Sequence, residues 1–305
     1  MRRTKVVGIG VHRGQPVSAT LIPAAADTGI VFSRTDLSSD LSADIRASHE
    51  NVLSTELCTV IGTSPDNSIA TIEHLMAALR GMGIDNARIE VDGPEVPVMD
   101  GSASEFVDAI RQAGVKTLNA PRRYLEVTRP IHIEHGASYA TMRPHQGTLF
   151  DTTIEFDTAL IGVQTVTVEL TPDSFNRELS AARTFGRVED VEKLWSMGFA
   201  RGSSLENSVA IAGDQVLNPE GTRWPDEFVR HKALDAVGDL ALAGYPILGA
   251  YRSYRGGHKI NAMMVEALMK DRSAWRIVDA PATRAKGQAG LAPAIAQPAF
   301  KAAND

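Results

Sequence analysis

The sequence predicts an α+β protein built from two similar domains, and three observations carry that prediction. The order of elements repeats: each half begins with strand-like segments and ends in helix–strand–helix, without a residue-level repeat. At 305 residues the chain has room for two domains of ordinary size. Its composition, 43% hydrophobic and 22% charged, is that of a globular chain whose core needs no metal or disulfide staples. Two such α+β layers facing each other would build a site from both.

Periodicity and punctuation place the elements in order. PVSATLIPA and GIVFSRTDL alternate as strands do, with turn residues between them. SIATIEHLMAALRGMG predicts a helix, because Ile72, Leu75, Met76 and Leu79 form an apolar stripe at helical spacing and Gly81 and Gly83 supply a stop. NARIEVDG reads as a strand, PEVPVMDGSA as a turn-rich loop and SEFVDAIRQAG as a helix. TLNAPRR, from Thr117 to Arg123, is the candidate linker, which sets an N-terminal domain at 1–119 and a second at 120–280. Strand texture resumes in YLEVTRPIHIE, YATMRP and LFDTTIEF. A helix is expected near VEDVEKLWSMG and short strands at NSVAIAG and QVLN. The helix DEFVRHKALDAVGDLALAG, the strand PILGAYRSY and the helix INAMMVEALMK close the fold. Residues 281–305, rich in Ala, Pro, Gly and Gln, read as a flexible tail.

Charge and cysteine usage exclude several functions. A net charge of -6 argues against nucleic acid as a partner, because phosphate binding wants a basic face. One cysteine, Cys58, allows neither an intramolecular disulfide nor a multi-thiolate zinc site, so a metal here must use His, Asp and Glu. The single thiol fits a reducing compartment, and MRRTKVVGIGVHRG lacks the apolar core of a signal peptide. The longest apolar run, LALAGYPILGA, is broken by Gly244 and Pro246, so stable membrane insertion is not expected. The expectation is a cytoplasmic monomer. Gly8, Gly10 and Gly14 come near a dinucleotide-binding fingerprint, but they lead into Pro16 and an alternating segment instead of a helix, which argues against a nicotinamide enzyme.

The chemistry concentrates in HKALDAVGDL. His231 and Asp235 lie four residues apart, so on a helix they project together and can reach one metal ion. Asp239, one turn further, suits a group that supports another side chain. The same spacing also fits a solvated acidic face with His231 as an ion-pair partner. A third ligand must come from elsewhere. His74 follows Glu73 within an apolar helix, where a charge is costly unless paired or bound to metal. A core histidine with a local carboxylate partner fits that observation too. His258 follows two glycines in YRGGHKIN at a helix entrance, and Thr184 lies in AARTFGRVED beside Phe185.

Taken together, TIEHL, MDGSA, RTFG, FVRHKALDAVGDL and GGHKIN resemble the UDP-3-O-acyl-N-acetylglucosamine deacetylases, from about Gly8 to the MMVEAL helix. The resemblance implies two domains, each a two-layer sandwich of a β-sheet and packed α-helices, with the active site between them. It implies a zinc amide hydrolase acting on an acylated UDP-sugar in the committed step of lipid A synthesis. It further implies one Zn²⁺ per chain on His74, His231 and Asp235, although Fe²⁺ suits similar ligands. Glu73 would be the general base, and His258, charge-paired with Asp239, would stabilise negative charge. Which of Glu73 and His258 protonates the leaving amine stays open. Thr184 would bind the oxyanion, Lys232 the pyrophosphate and Phe156 the uracil by stacking, and Phe185 would also bind the substrate. An inserted βαβ unit near 186–217 would line an acyl passage with Val191, Ala200, Ser204 and Ala210. Ser203 stands where relatives often carry a second glycine after Gly202. A non-catalytic sugar-nucleotide or lipid-binding protein on the same scaffold is the contrasting expectation, and it would need neither Glu73 nor His258.

Overall fold

The computed structural model describes residues 2–41 and 43–280, so the expected tail at 281–305 lies outside the described residues. The first half runs β1 (Thr4–Ile9), β2 (Pro16–Pro23), β3 (Ile30–Arg34), β4 (Ile45–Arg46), β5 (Val52–Ser54), β6 (Val60–Gly62), β7 (Ser68–Ile69), α1 (Glu73–Gly81), β8 (Ala87–Val91) and α2 (Ser104–Ala113). The second runs β9 (Arg123–Val127), β10 (Ile131–His135), β11 (Ser138–Arg143), β12 (Thr148–Glu155), β13 (Val163–Glu169), α3 (Pro172–Ser174), β14 (Phe185–Arg187), α4 (Val188–Ser196), β15 (Val209–Ala212), β16 (Gln215–Val216), α5 (Glu227–Leu240), β17 (Ile247–Tyr254), α6 (His258–Lys270) and β18 (Trp275–Asp279).

The repeated element order is a repeated topology. The first large sheet has the strand order β1-β2-β8-β3-β4, and the second carries the matching order β10-β11-β17-β12-β13. In each, one parallel pair sits between antiparallel neighbours: β3 with β8, and β12 with β17. Parallel neighbours need a long crossover. Each crossover ends in a helix that feeds the returning strand, α1 before β8 and α5 before β17. The second sheet adds β9 parallel to β17, and β18 antiparallel to β9. The α+β class and two-sheet plan expected from the sequence are therefore observed. A small sheet, β14-β15-β16, holds a parallel pair joined through α4.

The two crossover helices are buried along most of their length. α5 is inaccessible to solvent along nearly its whole length, as a helix packed on several sides must be. It lies on β12 and β13 and crosses α1. The crossing is close because Gly238 has no side chain: a Cβ there would stand 2.9 Å from the Glu73 carbonyl carbon, nearer still to its oxygen, and 3.1 Å from the Ala77 nitrogen. At the other end of α1, Gly81 lies directly beneath the Phe175 ring.

One local expectation changes. The helix expected from Ser68 begins at Glu73, because Ser68–Ile69 pairs as a strand with β6 and Thr71 turns the chain at φ +58. Thr71 is held there by its hydroxyl, which donates to the buried Glu95 carboxylate at 2.9 Å. GIGVHRG makes the turn between antiparallel β1 and β2 and opens no helix. β1, β4, β5, β6, β7, β13 and β18 were not foreseen; β13 and β18 flank the second sheet, where one face needs little apolar residue.

Candidate metal centre and active site

Three side chains from two helices converge at the α1–α5 crossing. One ligand atom each from His74, His231 and Asp235 lies within 4.8 Å of the others, and all three residues are buried. Helical spacing brings His231 Nε2 to 3.3 Å from Asp235 Oδ1, and α1 delivers His74 Nε2 to 3.6 Å from the same oxygen. The rings of the two histidines meet edge to face at 5.0 Å. His231 Nδ1 lies 3.0 Å from the Ala182 carbonyl, the position of a donor, which leaves Nε2 as the free lone pair. Burial drives the His231 imidazolium down to about 3, a fall that Asp235 offsets only in part, so the ring is neutral as ligation requires. Burial also disfavours the Asp235 carboxylate. The facing His231 and the Lys232 ammonium outweigh it and hold that carboxyl well below its ordinary range. Lys232 Nζ lies 2.8 Å from Oδ2, whereas Oδ1, facing both imidazoles, has no hydrogen-bond donor among the described residues. A buried carboxylate oxygen without a donor is costly, and a cation removes that cost. Two imidazoles and one carboxylate are a donor set that fits Zn²⁺ or a similar divalent ion.

A second constellation adjoins the first. Glu73 opens α1 and His258 opens α6; His258 Nε2 stands 3.8 Å from Glu73 Oε1 and Nδ1 stands 2.9 Å from Asp239 Oδ2. Asp239 also accepts from Asn261 Nδ2 at 2.8 Å and from the Thr59 hydroxyl at 2.6 Å. Thr59 serves both sides, since its backbone N–H donates to Glu73 Oε2 at 3.1 Å. Tyr251 in turn donates to Asn261 Oδ1 at 2.6 Å. Burial works against a charged His258, but Asp239 and Glu73 prevail and raise it to about 9. Burial raises Glu73 above its ordinary value against the pull of His258 and His74. The arrangement therefore holds a proton acceptor and a cationic donor side by side, next to a trio that could hold a metal ion.

Comparison with known proteins agrees with this geometry. The model of the LpxC family, described as UDP-3-O-acyl N-acetylglycosamine deacetylase, matches residues 1–270. The chain belongs to this family. Curated relatives from Brucella ovis, Brucella canis and Brucella melitensis, each named UDP-3-O-acyl-N-acetylglucosamine deacetylase, are 46% identical over 280 residues, covering 92% of this chain and 97% of theirs.

Other residues expected of a family member lie at varied distances from the centre. Phe185 forms an edge-to-face contact with Phe228 at 4.9 Å, with Phe156 at 5.8 Å and with His231 at 6.2 Å, so an aromatic row leads from the half-exposed Phe156 to the trio. Lys232 hangs over the Phe185 ring at 5.6 Å. Thr184 is tied by its backbone to Gly101 (2.7 Å) and Val209 (2.8 Å), which fixes RTFG against MDGSA. Arg183 strengthens that joint by gripping the fully buried Glu227 through Nε at 2.9 Å and Nη2 at 3.1 Å.

The four expected acyl-passage residues sit on different elements of the region around the small sheet. Val191 lies on α4, a helix without a buried residue, whose neighbours Val188 and Trp195 are exposed. Ala210 pairs with Gly186 in the small sheet. Ala200, at φ +54, accepts from Trp195 Nε1 at 3.0 Å. Ser204 is exposed and spends its groups on a turn, with its N–H donating to Asn207 Oδ1 at 2.8 Å. Ser203 shares a hydrogen bond with Ser208 at 3.1 Å. Thr59, Asn261, Tyr251, Arg183 and Glu227 were not singled out by the sequence. A polar side chain inside an apolar segment, as with Asn261 in INAMMVEAL, was the signal on offer.

Proposed function

We propose that this chain hydrolyses the N-acetyl group of UDP-3-O-acyl-N-acetylglucosamine, giving the free amine and acetate, with one Zn²⁺ held by His74, His231 and Asp235. The observation that carries the reading is the buried trio of ligand atoms within 4.8 Å of one another, beside the Glu73–His258 pair. Iron(II) would be accepted by the same donors. When bound, the metal supplies Lewis acidity toward water and the acetyl carbonyl. Glu73 takes a proton from the attacking water, with its Oε2 steadied by the Thr59 N–H. His258, kept cationic by Asp239, stabilises the negative charge that develops on the carbonyl oxygen, and the Thr184 hydroxyl assists as a second donor. A proton from His258 or from Glu73 then releases the amine.

Substrate recognition follows the same geometry. Lys232 would leave Asp235 to meet the pyrophosphate, and Phe156 and Phe185 offer faces to the uridine and sugar. The partly uncovered apolar face of α4, with Val191, together with Ala200, Ser204 and Ala210, would receive the acyl chain. The domain boundary is placed at 119/120, with an insert near 186–217 between the crossing helices. The chain is proposed to act as a cytoplasmic monomer; among the described residues no helix is long and apolar enough to cross a membrane.

Metal analysis with an amine-release assay on the acylated UDP-sugar tests the reading. Wild type should carry about one zinc per chain, His231→Ala should lose metal and turnover together, and Glu73→Ala should keep metal and lose turnover. Near-full activity in Glu73→Ala would remove Glu73 from the role of base.

A further inference from the structure

We propose that the protein has a second small-molecule site, a cleft beside the C-terminal end of α1 that takes a short-chain amphiphilic carboxylate. The cleft encloses about 260 Å³. That is a little below the roughly 300–1,000 Å³ typical of ligand pockets, so the occupant must be small. Its walls come from the end of α1, the flank of α5 and the second sheet, and it shares no lining residue with the metal-ligating or acid–base groups. Phe150, Leu170, Leu240, Ile247 and Leu248 make most of the wall apolar.

The charge at one side of this cleft is unbalanced. Arg80 and Arg122 both line it, and both face a single carboxylate, Asp85. Arg122 donates to that carboxylate through Nη2 at 2.9 Å, with its Nε 2.7 Å from the other oxygen but, like the Arg80 Nε, outside hydrogen-bond geometry, and it leans on the Tyr124 ring. Arg80 reaches it only through Nη1 at 3.3 Å. The Arg80 Nε is buried and has no acceptor among the described residues. Burial brings the Arg80 guanidinium down to about 10, with Asp85 offsetting part of the fall, so it stays cationic at neutral pH. One further acid lines the cleft, Glu169, but it is half-exposed at the rim and faces His145 at 3.9 Å. Among the described residues, the two guanidiniums therefore share one close carboxylate, Asp85, against an apolar wall. A buried charge in that state is costly, and an anion carrying an apolar body relieves it and covers the wall together. A planar carboxylate matches the fork of a guanidinium.

Octanoate is the probe, read by methyl NMR on the metal-loaded enzyme, with octanol and octylamine as head-group controls. Any fatty acid could also enter an acyl passage near α4, so the methyl groups report which site fills. Octanoate should shift the signals of Leu170, Leu240, Ile247 and Leu248, and should do so even where those of Val191 and Leu194 stay put. Arg80→Gln leaves one arginine to one aspartate, and should weaken octanoate about tenfold or more while leaving octanol unchanged. Leu248→Trp fills the cleft without touching charge and should abolish these shifts, which keeps the test intact if Arg80→Gln does not fold. The proposal fails if octanoate moves only Val191 and Leu194, if octylamine or octanol binds the cleft as tightly, or if Leu248→Trp leaves the shifts unaltered.

Discussion

Gly238→Ala sets two physical effects against each other, and their signs differ. In an exposed helix interior the change would stabilise by roughly 1 kcal/mol, because alanine loses less backbone entropy than glycine. Here the new methyl would stand 3.1 Å from the Ala77 nitrogen and 2.9 Å from the Glu73 carbonyl carbon, with the carbonyl oxygen closer still. Carbon contacts settle at about 3.5–4.0 Å, so α1 and α5 must part by roughly 1 Å or more. Overpacking of this kind costs about 1–3 kcal/mol, which leaves a net loss of about 0–2 kcal/mol and, at about 2–4 °C per kcal/mol, a lowered Tm of a few degrees. Function should suffer far more. The parting moves Glu73 and His74 away from His231 and Asp235, and a misplacement of about 1 Å can cost about 100-fold in rate. The checks are Tm by calorimetry, zinc content after dialysis and kcat by amine release. A Gly238→Ala protein with a raised Tm, full metal and wild-type kcat would refute the claim that this contact sets the geometry of the site.

Three further outcomes rest on the groups around that crossing. Thr59→Val deletes the hydroxyl that donates to Asp239 at 2.6 Å but keeps the backbone donor to Glu73; since a hydrogen bond to a charged group is worth about 1.5–3 kcal/mol, kcat should fall about tenfold to a hundredfold with little change in KM, and Thr59→Ser should restore it. His258 is raised to about 9, so the stability it gives is complete below the ordinary imidazole value near 6.5 and is lost as pH rises through about 9; Tm should decline over that window, and Asp239→Asn should flatten the decline. Arg183→Lys breaks the two-point grip on Glu227 one residue from the carbonyl that orients His231, so zinc affinity measured by chelator competition should drop about 10- to 100-fold while the fold survives by circular dichroism.

The parts of this site that the sequence disclosed are those where a helix converts spacing into position. His231, Asp235 and Asp239 recur at four-residue steps, so their common side followed from 3.6 residues per turn. Alternation likewise announced β2, β3, β8, β11 and β12, and with them the two-sheet plan. Thr59 was hidden because its partner Asp239 is 180 positions away, and no period links the two. The start of α1 was misplaced because Thr71 adopts a left-handed turn for the sake of Glu95, a partner outside the local window. Gly238 is the instructive case. Within α5 alone it weakens a helix, and nothing in GDL explains it; its reason is the Glu73 carbonyl on another helix. The matching topology of the two sheets explains why these helices meet. α1 and α5 occupy the same place in two copies of one plan, each closing the crossover of a parallel pair, and the two helices pack on each other. Equivalent helices then cross, so the start of α1 at residues 73–74 meets the middle and end of α5 at residues 231–239. A pairwise fit of this kind, with one helix pair setting the distances among His74, His231 and Asp235, makes that trio sensitive to the crossing, while His258 on α6 and Thr59 before β6 complete the site from outside it.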